Sequence, residues 1–188
     1  MSRARRTTLL LACLLALACV PPAAGLAADS SARTGGAAYK PPPAPPRKAT
    51  FRNGKAIAPA GAPRAVKLII KAANHLRRKP YKWGGGHSSW EDSGYDCSGT
   101  VSYVLHKAHL LSSPLDSSSF MSWGRGGKGR WVTVYTNPDH AFIVVAGLRF
   151  DTGWRDREMM SQQAGGSGPR WGRPRSTRGF RARHPKGL

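Results

Sequence analysis

The chain has 188 residues, with thirty lysines and arginines against nine aspartates and glutamates, a formal net charge of +21. That length holds one domain with extensions. The charge calls for an anionic partner and argues against a surface built for cations.

Arg3, Arg5 and Arg6 precede an apolar run from Leu9 to Val20 and a small-residue stretch from Ala23 to Ala28. This order is that of a secretory signal peptide spanning 1–28, cleaved after Ala27 or Ala28. The apolar run is short for a permanent membrane span, and no second hydrophobic segment follows, so no transmembrane anchor is expected in the mature form. Arg5-Arg6 leaves twin-arginine export open, and Ala16-Leu17-Ala18-Cys19 leaves lipid tethering at Cys19 open. An exported chain this basic points to peptidoglycan or another anionic envelope polymer as partner rather than to nucleic acid. The expected location is the periplasm or the cell envelope, and the expected state a monomer.

Residues 29–64 are rich in Ala, Pro, Gly and Lys, including Pro41-Pro42-Pro43 and Pro45-Pro46. Such a composition buries little apolar surface and reads as an extended linker. The folded domain is expected over 65–188. Val66, Ile69, Ile70, Ala73 and Leu76 recur at helical spacing until Pro80. Tyr81-Lys82-Trp83 leads into Gly84-Gly85-Gly86, which lacks the downstream Gly-Lys-Ser or Gly-Lys-Thr of a phosphate loop. A second helix begins at Cys97, with Asp96 as its N-cap and Val101, Val104, Leu105 and Ala108 as its buried stripe. Ser112 to Ser122 reads as a polar loop. Strand-like runs follow at 130–135, 140–146 and 149–152, with a tight hairpin at Ala146-Gly147 and a further strand within 177–183. Helices followed by antiparallel strands define an α+β class.

Cys13 and Cys19 fall in the signal segment, which leaves Cys97 without a disulfide partner. A secreted thiol with no partner is either an inert core residue or one kept for its reactivity. The first turn of a helix and the cationic surroundings both favour the thiolate. His140, on a strand downstream, is the candidate base that takes the thiol proton and returns it to the leaving amine. A third polar group should orient the imidazole. Asp151 and Thr152 are both in range; strand alternation turns only one of them toward His140, and a carboxylate is chemically better suited. His75, His87, His106 and His109 read as surface or helix-face histidines. His106 and His109 have metal-ligand spacing but no third ligand in view, so neither metal nor organic cofactor is expected.

Pro80-Tyr81-Lys82-Trp83-Gly84-Gly85, then Gly94-Tyr95-Asp96-Cys97-Ser98-Gly99, then His140 opening an apolar strand, resemble the NlpC-type family of bacterial cell-wall cysteine peptidases. The resemblance runs from about Val66 to Thr152. It implies a papain-like fold and hydrolysis of a peptide bond in peptidoglycan stems, commonly between D-glutamate and a diamino acid. It also implies Cys97 as nucleophile, His140 as base, and Tyr81, Asp96 and Ser98 beside the stem peptide. Two departures stand out. The Gly-Asp-Leu segment usual before the histidine strand is replaced by Trp131-Val132-Thr133-Val134-Tyr135. The third polar residue, usually His, Asn or Gln, falls on Asp151 or Thr152. These departures keep two other readings in play: a decayed wall-binding module, and an amidase or acyltransferase on the same frame. The arginine-rich stretch from Arg170 to Lys186 lies outside the resemblance and reads as a solvated basic face or an anion-binding one.

Overall fold

Apolar residues at helical spacing and alternating strands sort onto opposite layers. The computed structural model describes residues 47–153, 155–163 and 166–188. The signal segment and the first part of the expected linker lie outside these residues. Helix α1 spans Arg64–Leu76 and helix α2 spans Cys97–Lys107. A six-stranded antiparallel sheet has the order β3-β8-β4-β5-β6-β7. Its strands are β3 (Arg125–Gly126), β4 (Val132–Thr136), β5 (Ala141–Val145), β6 (Leu148–Asp151), β7 (Arg170–Gly172) and β8 (Arg181–His184). Short helices α3 (Ser117–Phe120) and α4 (Arg157–Met160) lie in the connections. The expected α+β class, with helices on an antiparallel sheet, is the observed one.

The core lies between the helices and one face of the sheet. Val66, Ile69 and Leu76 of α1 and Val101, Val104 and Leu105 of α2 are buried with Val132, Val134, Ile143, Val145 and Phe150. Burial of such side chains contributes about 1.5–3 kcal/mol each, so this layer dominates the stability of the domain. Period-two alternation puts Tyr135 and Phe142 on the other face, stacked with ring centroids 5.2 Å apart. The C-terminal segment covers that second face, with Phe180 5.1 Å from Phe142. All five residues of β4 are therefore buried.

The folded region begins earlier than composition indicates. Residues 50–57, placed in the linker by sequence, form a hairpin of β1 (Thr50–Arg52) and β2 (Lys55–Ile57). Asn74 of α1 accepts from the Ala56 N–H at 3.0 Å and donates to the Ala56 carbonyl at 2.8 Å. The same Asn74 oxygen accepts from the Trp171 indole at 2.9 Å, tying the hairpin to β7. Asn74 thus anchors the hairpin together with the Ala49 N–H bond to the Ala146 carbonyl and the packing of Phe51 and Ala56 on the core. Strand β7 has no counterpart among the strand-like runs of the sequence, and the last strand lies at Arg181–His184 rather than wholly within 177–183.

Much of the basic C-terminal stretch serves the fold. Arg183 donates to the carbonyls of Trp123, Ser122 and Gly124. Arg173 forms a two-pronged pair with Asp156, at 2.9 and 3.2 Å. Arg170, 2% exposed, donates to the carbonyls of Lys79 and Pro169. The fork of an arginine side chain lets it close several loop carbonyls at once.

Candidate active site

The two sequence motifs are one structural unit. The Tyr95 N–H donates to the Pro80 carbonyl at 3.1 Å, and the Asp96 N–H to the Gly85 carbonyl at 3.2 Å. Backbone approach is so close that a Cβ on Gly99 would lie 2.0 Å from the Gly85 carbonyl oxygen. Gly99 is therefore required by the approach of Gly85, and a Cβ on Gly86 would in turn lie 3.1 Å from the Gly99 Cα. Asp96 locks the unit. Its Oδ1 accepts the Gly99 N–H at 2.7 Å as the N-cap of α2, and its Oδ2 accepts the Gly84 N–H at 3.1 Å.

Cys97 is the first residue of α2, a free thiol, partly exposed. Helix geometry leaves the N–H groups of the first turn without intrahelical acceptors. The Gly99 N–H is used by Asp96 and the Thr100 N–H by the Asp96 carbonyl. Asn137 positions His140 just before β5: its Oδ1 accepts the His140 N–H at 2.8 Å, and its N–H donates to the His140 carbonyl at 3.0 Å.

Sheet register places Asp151, and not Thr152, on the face of His140. Phe150 pairs with Ile143, and both face the helices. The next residue, Asp151, falls on the face of Phe142 and His140, and alternation turns Thr152 away. His140 Nε2–H donates to Asp151 Oδ1 at 2.8 Å. The remaining ring nitrogen, Nδ1, is not used by Asp151, and the imidazole and the Cys97 thiol favour each other's charged forms. Asp151 is 1% exposed, and its second oxygen accepts from Arg149, which is fully buried. The Gly153 N–H donates to Oδ1 at 2.8 Å, and Arg175 approaches Oδ2 at 3.7 Å. Gly153 also packs edge-on to the ring: a Cβ there would lie 3.1 Å from His140 Nε2.

These contacts fix the charge states. Burial pushes the Cys97 thiol up, but the hydrogen bonds from His140 and the Ala141 N–H, with the charge of His140, bring it below its ordinary value. Burial pushes His140 down, and the hydrogen bonds to Asp151 and Cys97 with their charges outweigh it, raising His140 to about 9. Burial likewise opposes ionisation of Asp151, yet the His140 and Gly153 hydrogen bonds and the His140 and Arg149 charges hold it at about 2. The three groups favour a thiolate facing an imidazolium backed by a carboxylate.

A cleft of about 640 Å³ opens beside the sulfur. Tyr81, Trp83, Asp96, Cys97, Ser98, Asp116 and Asp139 are among its lining residues. Trp83 is 87% exposed at this rim. Tyr81 and Ser98, expected beside the substrate, line the cleft as well. Asp96 also lines it, but its carboxylate is engaged by the α2 cap and the glycine loop. His87, given no role from sequence, belongs to the cleft: its Nε2 lies 3.1 Å from Asp96 Oδ1 and 3.2 Å from Ser98 Oγ. Its place directly after Gly84-Gly85-Gly86 is the one signal of this that the sequence holds. The other helix histidines have structural settings. His106 stacks on Trp90 at 3.8 Å and donates to the Leu111 carbonyl, and His75 stacks on Tyr103.

Fold and site together define an α+β protein with a cleft-lining cysteine beside a histidine that is hydrogen-bonded to a buried aspartate. No protein-family model matches this chain, and no curated protein is similar to it in sequence. Among solved structures, the chain is similar to the peptidoglycan hydrolase RipB from Mycobacterium tuberculosis, with a TM-score of 0.46 and 21% identity. That likeness covers 65% of this chain and 68% of the RipB chain. No helix among the described residues is long and apolar enough to cross a membrane.

Proposed function

We propose that this protein is an exported cysteine endopeptidase that hydrolyses peptide bonds in peptidoglycan stem peptides, between a D-glutamyl residue and a diamino acid. One observation carries the reading: a partly exposed thiol at a helix start lies close enough to His140 for the two to favour each other's charged forms, and a buried carboxylate holds that imidazole from behind. This is the arrangement that thiol peptidases need, with a nucleophile, a proton shuttle and an orienting group. The two motifs, Pro80 to Gly85 and Gly94 to Gly99, support the NlpC-type resemblance and through it the choice of substrate.

In this reading the Cys97 thiolate attacks the scissile carbonyl carbon. The carbonyl oxygen takes up the negative charge, and the free N–H groups of the first turn of α2 stabilise it. The His140 imidazolium protonates the departing amine, the C–N bond breaks and a thioester on Cys97 remains. His140, now neutral, removes a proton from water as it attacks the thioester. The C–S bond breaks, the product leaves as a carboxylic acid that gives its proton to solvent, and the thiolate and imidazolium return. Asp151 stays ionised throughout and stabilises the imidazolium. Neither metal nor organic cofactor takes part in these steps.

The test is mass spectrometry of muropeptides from purified sacculi treated with wild type and with Cys97→Ala. The expected outcome is a set of new stem-peptide termini with wild type, and a rate on the order of 10⁶-fold lower with the variant. Products undiminished in Cys97→Ala would remove Cys97 as nucleophile. Thiol-dependent activity on other amides with inert muropeptides would instead favour an amidase or acyltransferase on the same frame.

A further inference from the structure

The cleft contrasts with the rest of the protein in charge. The chain carries thirty lysines and arginines, yet none of them is among the cleft-lining residues, which include Asp96, Asp116 and Asp139. His87 is the lining side chain that can carry a positive charge there. Its Nε2 is committed to Asp96 Oδ1 and Ser98 Oγ. A carboxylate oxygen can only accept, so Nε2 carries the proton. Nδ1 makes no hydrogen bond among the described residues, and the side chain is 26% exposed on the cleft. The neutral ring therefore presents a lone pair at Nδ1, and the protonated ring presents a donor.

We infer that His87 is a specificity-determining residue for the proposed peptidase, its imidazolium receiving a carboxylate of the substrate at Nδ1–H while Asp96 holds the ring from Nε2. This inference rests on the peptidase reading above. Every titratable group facing the ring favours the cation. The hydrogen bond to Asp96 raises His87 most; burial opposes it; the charges of Asp96, the Cys97 thiolate and Asp116 add to the raising. Asp139 lines the same cleft. Asp96 thereby serves twice, capping α2 and keeping a cation in place beside the helix start. A glutamyl residue linked through its side-chain carboxyl keeps a free α-carboxylate near the scissile bond, which is the anion such a donor fits. An α-carboxamide in its place would offer Nδ1–H a neutral acceptor instead of a charged one, and charge-assisted bonds are the stronger kind.

The experiment has two arms, both on the full chain. In the first, histidine-labelled Cys97→Ala protein is titrated with γ-D-glutamyl-L-lysine and with its α-carboxamide, and ring resonances are followed by NMR. The His87 resonance is assigned by its loss in Cys97→Ala with His87→Gln. The expected result is a larger shift of the His87 ring with the carboxylate ligand than with the carboxamide, and a rise in its titration midpoint with the carboxylate ligand. No response, or equal response to both ligands, overturns the inference. In the second arm, His87→Gln is assayed on both peptides. Gln keeps a donor for Asp96 but carries no charge. KM for the carboxylate peptide is expected to rise about tenfold, with kcat little changed and a clearly smaller rise for the carboxamide peptide. A residue that merely braced Asp96 would change both peptides alike, and that result also overturns the inference. If neither peptide is cleaved by wild type, the peptidase reading fails while the NMR arm still decides the role of His87.

Discussion

The loop that carries Cys97 and the strand that carries Asp151 meet at one site but are held by different forces. From Pro80 to Gly99 the chain is held mostly by backbone hydrogen bonds, glycine contacts and the Asp92 and Asp96 carboxylates that accept loop N–H groups. At β6 the geometry rests on buried charge: Arg149, Asp151 and His140 in line, with Arg175 lying 5.8 Å from the Phe142 ring centre beside them. The first arrangement is local in sequence and steric. The second draws its residues from separate segments and is electrostatic. A steric clamp tolerates no added volume, whereas a charge network tolerates no lost partner.

The largest expected effect breaks the charged side. Arg149→Met leaves the Asp151 carboxylate buried with one fewer cation, and the unfolding free energy should fall by about 3–5 kcal/mol. The double variant Arg149→Met with Asp151→Asn removes the buried charge altogether and should regain part of that loss. Urea denaturation of wild type, both single variants and the double variant measures it. Additive losses in the double variant would mean that Arg149 and Asp151 do not act as a pair. On the steric side, Gly99→Ala should cost about 1–3 kcal/mol, because the new methyl group meets the Gly85 carbonyl and neither backbone can yield alone. Thermal unfolding reads this change, and an unaltered midpoint would show that the loop is looser than its packing implies.

The same contrast decides what the sequence discloses. The Cys97 half is legible because its signals are local: Asp96 before a helix start, glycines on both sides, apolar spacing along α1 and α2. The β5–β6 hairpin is legible through alternation and the Ala146-Gly147 turn. Asp151 and Thr152 stay unresolved from sequence, because only the pairing of Phe150 with Ile143 tells which of them shares a face with His140. His87 escapes notice because its partners, Asp96 and Ser98, come to it by folding of the glycine loop. The structural arginines escape for a related reason. Arg183 reaches carbonyls about sixty residues away, and Arg170 reaches Lys79, so their charge reads as surface until the loops they close are known. The hairpin at 50–57 is hidden by composition, since its small apolar content, Phe51 and Ala56, reaches the core only where Asn74 and the Ala146 carbonyl anchor the strands.

The smallest expected effect separates charge from orientation within the electrostatic half. Asn at position 151 can still accept the His140 Nε2–H through its amide oxygen, so Asp151→Asn keeps the ring in place while removing the negative charge. In the wild type, the proposed activity should rise with pH as the Cys97 thiol ionises below its ordinary range, and fall as His140 loses its proton near pH 9. Without the Asp151 charge, the imidazolium is less favoured. The alkaline limb of kcat/KM should move to lower pH and the acid limb to higher pH, which narrows the bell, and the maximum should fall about tenfold. Stability follows the same linkage. The wild-type contribution of His140, raised above its unfolded value of 6.5, is complete below that value and lost as pH rises through about 9. That of Asp151, depressed from 3.8, is complete above 3.8 and lost as pH falls through about 2. In the variant the acid-side loss should vanish with the carboxylate, and the alkaline-side loss should begin at lower pH. An alkaline limb that does not move would show that the carboxylate orients His140 without holding its proton, leaving the thiolate to the helix start and the Ala141 N–H.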